Sequence, residues 1–205
     1  MAGAKMVRQP VFRRSHTVEA ELQRRRFTVD EYYRLAEMQI LGEDDRVELI
    51  DGEIVEMTPN GARHAACVDR LTIILQEAFK GRGTLRVQSP IRLSRYSEPQ
   101  PDLSILKPRA DFYAKSHPVP ADVLLVVEVA DASVRYDRNI KVELYAHAQI
   151  GEAWLVDLAS ETVEVFTAPG PQGYLVPRRA PRGERLKSEV LPNHSIPVDD
   201  IIGPR

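Results

Sequence analysis

A mixed α/β domain, with a β-sheet flanked by helices, is the fold class this sequence predicts, and three observations carry the prediction. The segment "VLLVVEV" at 123–129 is a nearly continuous run of β-branched residues and leucine, which suits a central strand buried on both faces. Between Ala62 and Phe79 the residues Val68, Leu71, Leu75 and Phe79 recur at helical spacing, so a long helix lies across the sheet. The elements then run helix, hairpin, helix, strands, helix, strands, and a mixed sheet covered by helices is the economical way to bury them.

The first element is the helix in "FTVDEYYRLAE", which Thr28 caps and in which Asp30 and Glu31 fill the first turn. Leu41 to Asp45 is a turn. "RVELIDGEIVEM" reads as two short strands around Asp51-Gly52, a strong hairpin signal. "TPNGARH" is a loop before the long helix, which Gly81 and Gly83 end. "TLRVQSPIRL" is extended and interrupted at Pro90, "PDLSIL" is the next strand, and "FYAKSHPVPA" is a connection. After the central strand, Asp131 and Ser133 are N-cap candidates for a helix reaching Gln149. Its apolar stripe reads as Ile140, Leu144 and Ala148, with Gly151 as the stop. "EAWLVDL" and "TVEVFTA" form a further strand pair, with Asp157 a strand-end turn residue. "GYLVPRRA" and the region around Leu186 add strands or turns before Ile196–Ile202 closes the fold.

The 205 residues, 43% hydrophobic and 28% charged, suit one soluble domain with arms. No stretch approaches the roughly 20 apolar residues of a membrane helix, and the first residues lack an apolar signal region. The single Cys67 allows no internal disulfide and reads as core, so a reducing cytoplasm is expected. The net charge of −2 is unevenly spread. Residues 1–26 carry five positive charges in excess, which marks a basic, flexible arm ahead of one domain at 27–202. Such an arm is either a phosphate contact or a solubilising tail. Two further basic runs stand at Lys80, Arg82, Arg86, Arg92, Arg95 and at Arg178, Arg179, Arg182, Arg185, Lys187.

Asp102 opens the short run after Pro101, and Glu128 sits inside the central strand. A carboxylate in a buried strand is costly unless paired, protonated or metal-bound. Two carboxylates on adjacent strands suit Mg²⁺, with Mn²⁺ as the substitute, because hard cations take oxygen ligands and keep waters for phosphate to displace. The Val129 carbonyl is the natural additional ligand. Lys141, on the following helix, is placed to orient water or stabilise transition-state charge. Glu48 is a further acid, and His64 a phosphate contact or proton-transfer group. The bland alternatives are a strand-start role for Asp102, an interior arginine partner for Glu128, and a surface pair of Lys141 with Asp137. For Glu48 the alternative is a solvated hairpin arm, and for His64 a helix start. Arg82, Arg86 and Arg92 join His64 as candidate nucleic-acid contacts.

Taken together, "VELIDGEIVEMTPNGARHAACVDRL", "PDLSIL", "LLVVEVADASVRYDRNIKVELYAHAQIGEAWLVDL" and "TVEVF" resemble the Uma2 family of restriction-endonuclease-like proteins, within the PD-(D/E)XK nuclease superfamily. The resemblance covers roughly residues 27–202. It implies a restriction-endonuclease-like mixed β-sheet flanked by helices, with Asp102 and Glu128 as ligands of a magnesium-type site. The superfamily's lysine two residues after the second acid is replaced here by Ala130. In this family the following helix supplies it, which matches Lys141, and Glu48 and His64 match the earlier acid and histidine. Asp131 and Ala132 stand where the family often has Ser-Pro.

The expectation is a metal-dependent DNA endonuclease, expected to be a homodimer if it cuts both strands. The alternatives are a catalytically inactive nucleic-acid-binding protein on a nuclease scaffold, motivated by Ala130, and an assembly protein using a sheet edge or the Pro-rich tail.

Overall fold

The computed structural model describes residues 24–42 and 44–204. Most of the basic arm therefore lies outside the described residues. Its last three, Arg24, Arg25 and Arg26, pair with Glu53, Glu31 and Asp51.

Helix α1 (Val29–Glu37) begins at a capping box. The Glu31 N–H donates to Thr28 Oγ1, and the Glu31 carboxylate accepts from the Thr28 N–H. Strands β1 (Val47–Ile50) and β2 (Glu53–Glu56) form an antiparallel hairpin. Its turn puts Asp51 and Gly52 at φ 53° and 83°, the left-handed pair that a tight hairpin needs. Gly52 is also sterically required: a Cβ there would meet the Arg26 Cβ at 2.5 Å. Helix α2 (Ala62–Ala78) follows, with Val68, Leu71 and Leu75 buried, and Phe79 buried at its C-cap, as the periodicity predicts.

Six strands make the main sheet: β3 (Thr84–Val87), β4 (Leu103–Leu106), β5 (Val123–Ala130), β6 (Glu152–Asp157), β7 (Thr162–Thr167) and β8 (Arg178–Pro181), side by side in chain order. Only β5 and β6 are parallel. A parallel pair needs a crossover, and the helical segment between them supplies it. That segment is α3 (Val134–Tyr136), a π-helical turn (Asp137–Lys141) and α4 (Val142–His147) in continuation. A small pair, β9 (Arg185–Lys187) and β10 (Ser195–Pro197), leads into α5 (Val198–Ile202).

Side chains alternate across the strands and divide the core in two. Leu125, Val127 and Val129 of β5 join Trp154 and Val156 of β6 beneath α2 and α5. Val126 and Ala130 join Ala153 and Leu155 on the opposite face, beneath Val142 and Tyr145 of α4. Glu128 falls between Val126 and Ala130 in this alternation, so it faces the crossover helix.

The crossover helix departs from its predicted stripe. Ile140 is 42% exposed, and Leu144 and Ala148 are only partly covered. The buried face is Asp137, Lys141, Val142, Tyr145 and Ala146. A search for apolar periodicity picks the wrong register because the inward face carries an aspartate, a lysine and a tyrosine. Ser133 occupies the N-cap position without making a cap bond; its hydroxyl donates to Asp137 Oδ2 at 2.5 Å.

Candidate active site

Asp102, Glu128, Lys141, Glu48 and His64 converge where β4 begins and β5 ends. They line one cavity of about 480 Å³, together with Gln100, Val129, Tyr136 and Asp137. The sheet brings the acids together. Leu103 of β4 pairs with Val127 of β5, so Asp102, one residue before, lies level with the 128–129 peptide.

Asp102 is held from the α2 side. Its Oδ2 accepts from the Val129 N–H at 2.9 Å and from His64 Nε2 at 3.1 Å. Its Oδ1 has one looser contact, the Gln88 amide at 3.3 Å. Burial opposes the charge on Asp102, but the His64 and Val129 hydrogen bonds outweigh it and hold the carboxyl below its usual range. His64 is raised in turn, chiefly by its bond to Asp102. His64 Nδ1 is buried with no hydrogen-bond partner among the described residues.

Glu128 is held from the crossover side. Its Oε1 accepts from Tyr145 at 2.5 Å and from Lys141 Nζ at 2.9 Å. Burial pushes the carboxyl up to about 8, against the opposing charge of Lys141. Lys141 also donates to the Gln100 carbonyl at 3.1 Å and lies 3.5 Å from Glu48 Oε2. Desolvation works against its charge, but Glu128 and Glu48 together keep the ammonium well protonated. Glu48 accepts from the Gln100 N–H at 3.0 Å and from the Tyr136 hydroxyl at 3.2 Å.

These contacts replace three of the alternative readings, while Asp102 does stand at the start of β4 and His64 in the first turn of α2. The interior partner of Glu128 is Lys141 rather than an arginine, and Glu48 is 3% exposed rather than solvated. Lys141 is buried and turned inward, not part of a surface pair. Ala130 is buried beneath α4, and the lysine enters from that helix instead. Arg82, Arg86 and Arg92 are not among the residues lining the cavity. Arg82 donates to the Ala78 carbonyl, Arg86 to the Phe112 carbonyl, and Arg92 to buried Glu98 at 2.7 Å.

Five site residues escaped the sequence reading: Gln88, Gln100, Tyr136, Asp137 and Tyr145. Asp137, Lys141 and Tyr145 recur every four residues, and that polar stripe was the available signal. The π-helical turn beginning at Asp137 is a feature often found at functional sites. Gln88 stands at φ 43°, a strained backbone against Asp102.

The donor set fits a hard divalent cation. Glu128 lines the cavity, and its second oxygen accepts no hydrogen bond among the described residues. The Val129 N–H and carbonyl share one side of the strand, and the N–H meets Asp102. Two carboxylates and a carbonyl suffice for Mg²⁺, which keeps waters for the remaining positions. No cluster of three or more His, Cys, Asp or Glu poised for a metal occurs among the described residues.

The family model described as "Uma2: Putative restriction endonuclease" matches residues 29–199. Among solved structures, that of "a putative nuclease belonging to DUF820" from Anabaena variabilis superposes with a TM-score of 0.63. The match has 15% identity and covers 86% of this chain and 97% of the other; at that identity the likeness speaks to fold. No curated protein matches.

Proposed function

The chain belongs to the Uma2 family, and from that membership and the site geometry we propose that it is a nuclease, a metal-dependent endonuclease hydrolysing DNA phosphodiesters. The single observation that carries the reading is the convergence of Asp102, Glu128 and Lys141 in one cavity from three separate elements.

Asp102, Glu128 and the Val129 carbonyl would hold Mg²⁺ or Mn²⁺. Bound there, the ion supplies charge on the scissile phosphate and lowers the pKa of a coordinated water. His64 and the Val129 N–H hold Asp102 Oδ2, and Oδ1, with its longer Gln88 contact, is the oxygen assigned to the ion. Lys141 brings a fixed positive charge beside Glu128, where negative charge grows as the phosphorus–oxygen bond forms. Glu48 and the Gln100 carbonyl hold the ammonium in place. Glu48 is the carboxylate assigned to receive a proton, relayed by the Tyr136 hydroxyl that donates to it. His64, its Nε2 committed to Asp102, is assigned to holding that carboxylate rather than to a phosphate, and Arg82, Arg86 and Arg92 are assigned to phosphates of nucleotides flanking the cavity. Cutting both strands calls for two copies, which sedimentation on DNA would detect. Among the described residues no helix is long and apolar enough to cross a membrane.

The test is cleavage of supercoiled plasmid and of a labelled single strand with Mg²⁺, with Mn²⁺ and with chelator, wild type beside Asp102→Ala. Metal-dependent cleavage lost in the variant is the expected result. Bound DNA that stays intact under every metal would replace this reading with an inactive binding scaffold.

A further inference from the structure

Outside the cavity, the basic run between Glu77 and Glu98 meets a second cationic segment on one edge of the sheet, through Arg86. Among the described residues β3 is an outer strand, hydrogen-bonded only to β4. The loop 107–119 stands against it and carries Lys107, Arg109 and Lys115 with Asp111 as its one acid. Arg109 already neutralises Asp111 at 2.6 Å. Lys107 and Lys115 are exposed.

The centre of this loop is a strained knuckle. Phe112 and Tyr113 have φ of 48° and 60°, a left-handed conformation rare for bulky residues. It is held from within. The Tyr113 ring is buried, its hydroxyl donates to the Lys107 carbonyl at 2.7 Å, and its N–H donates to Asp111 at 3.2 Å. The guanidinium carbons of Arg109 and Arg86 lie 3.9 and 5.7 Å from the ring centroid. Arg86 also donates to the Phe112 carbonyl at 2.9 Å. The product of these contacts is a Phe112 side chain 68% exposed and in contact with no other ring among the described residues. Backbone strain held in place by surrounding contacts clusters at sites that bind something, and here it presents an aromatic ring to water.

The knuckle is joined to the site through β3. Gln88, just past the end of that strand, donates its N–H to the Asp102 carbonyl and its amide to Asp102 Oδ1. Arg86, which grips the knuckle, is two residues earlier, roughly 7 Å along an extended chain. A strand held at Asp102 therefore passes Phe112 within a few nucleotides.

We propose that β3 and the loop 107–119 form a docking edge for a nucleic-acid strand, with Phe112 stacking on an unpaired base beside the scissile phosphate. The inference rests on the nuclease reading above and narrows its substrate to single strands, flaps or frayed ends. A ring stacks on a base only where the base face is free, and a duplex interior offers none. Lys107 and Lys115 then meet the backbone phosphates on either side.

The test is fluorescence anisotropy of a labelled single strand and a blunt duplex of the same sequence, in chelator at low salt. Full-length wild type, Phe112→Ala and Phe112→Trp are compared, with hydrolysis of bis(4-nitrophenyl) phosphate in Mn²⁺ measured alongside. Phe112→Ala should weaken single-strand binding between about fivefold and about 150-fold, the span of base–aromatic stacking. Its effect on the duplex should be smaller, and Phe112→Trp should bind like wild type. Single-strand affinity unchanged in Phe112→Ala overturns the proposal, as does a wild type that binds no strand. A change in self-association by sedimentation, with nucleic-acid affinity constant, overturns it in favour of an interface between copies. If wild type cuts neither DNA nor the diester while Phe112→Ala still weakens single-strand binding, the nuclease reading fails and the docking edge stands.

Discussion

Lys141 shows how much of the site's character is decided by one side chain. It is 4% exposed and sits between two carboxylates that are each 3% exposed. Removing one partner of a buried charge cluster leaves the others uncompensated and costs about 3–5 kcal/mol. Lys141→Met should therefore lower stability by that amount in urea unfolding, and Glu128→Gln added to it should recover part of the loss. Strictly additive effects would show that the two groups are uncoupled. Loss of cleavage in a Lys141 variant thus counts as catalytic only beside a measured fold. His64 makes a second prediction at this scale. Its folded pKa is raised above 6.5 by the bond to Asp102, so its contribution is fully present below 6.5 and is lost as pH rises through the folded value. Asp102 is lowered below 3.8, so its contribution is present above 3.8 and is lost as pH falls through the folded value. In chelator, the stability difference between wild type and His64→Gln should shrink as pH rises above 6.5. A difference flat in pH would remove the His64–Asp102 bond from the energetics of the fold.

The crossover helix is the element on which the site turns. Its π-helical turn begins at Asp137 and ends at Lys141, and both are buried. Arg138, on the outer side, ties this turn to the sheet by donating to Glu164 of β7 at 2.9 Å, with Asp157 at 3.9 Å. Glu164 is 2% exposed, so the anchor is a hydrogen bond to a buried charge, worth about 1.5–3 kcal/mol. Arg138→Ala should lower stability by that amount and reduce cleavage further than stability alone explains, because Lys141 loses its anchored backbone. Cleavage measured well below the melting temperature separates the two effects, and unchanged turnover would show that α4 packing alone positions Lys141. Helix α2 contrasts with this. Its Leu71 and Leu75 are fully buried at regular spacing, and the sequence alone sufficed to read it.

For the whole molecule, the described end of the basic arm is tied to the folded body. Phe27 donates its N–H to the Gly52 carbonyl, and Arg26 grips Asp51. A chain beginning at Arg24 keeps these contacts. The salt dependence of its DNA binding then assigns the missing cations. A shallower log–log slope marks Lys5, Arg8, Arg13 and Arg14 as phosphate contacts, and an unchanged slope marks a solvated tail.

The sequence by itself determined the order and type of the main elements, the hairpin at Asp51-Gly52, and the five candidates Glu48, His64, Asp102, Glu128 and Lys141. Such signals are local: a strand run, a helical period, a turn pair, or a charge where an apolar residue belongs. Only the tertiary structure decided which of these residues touch. The distances from Lys141 to Glu128 and to Glu48 depend on the β4–β5 register and on a π turn that shifts the helix face. Neither is written in any short window of residues. The same reason hid Asp137, Tyr145 and Gln88, whose roles arise from what the sheet and the crossover helix bring beside them.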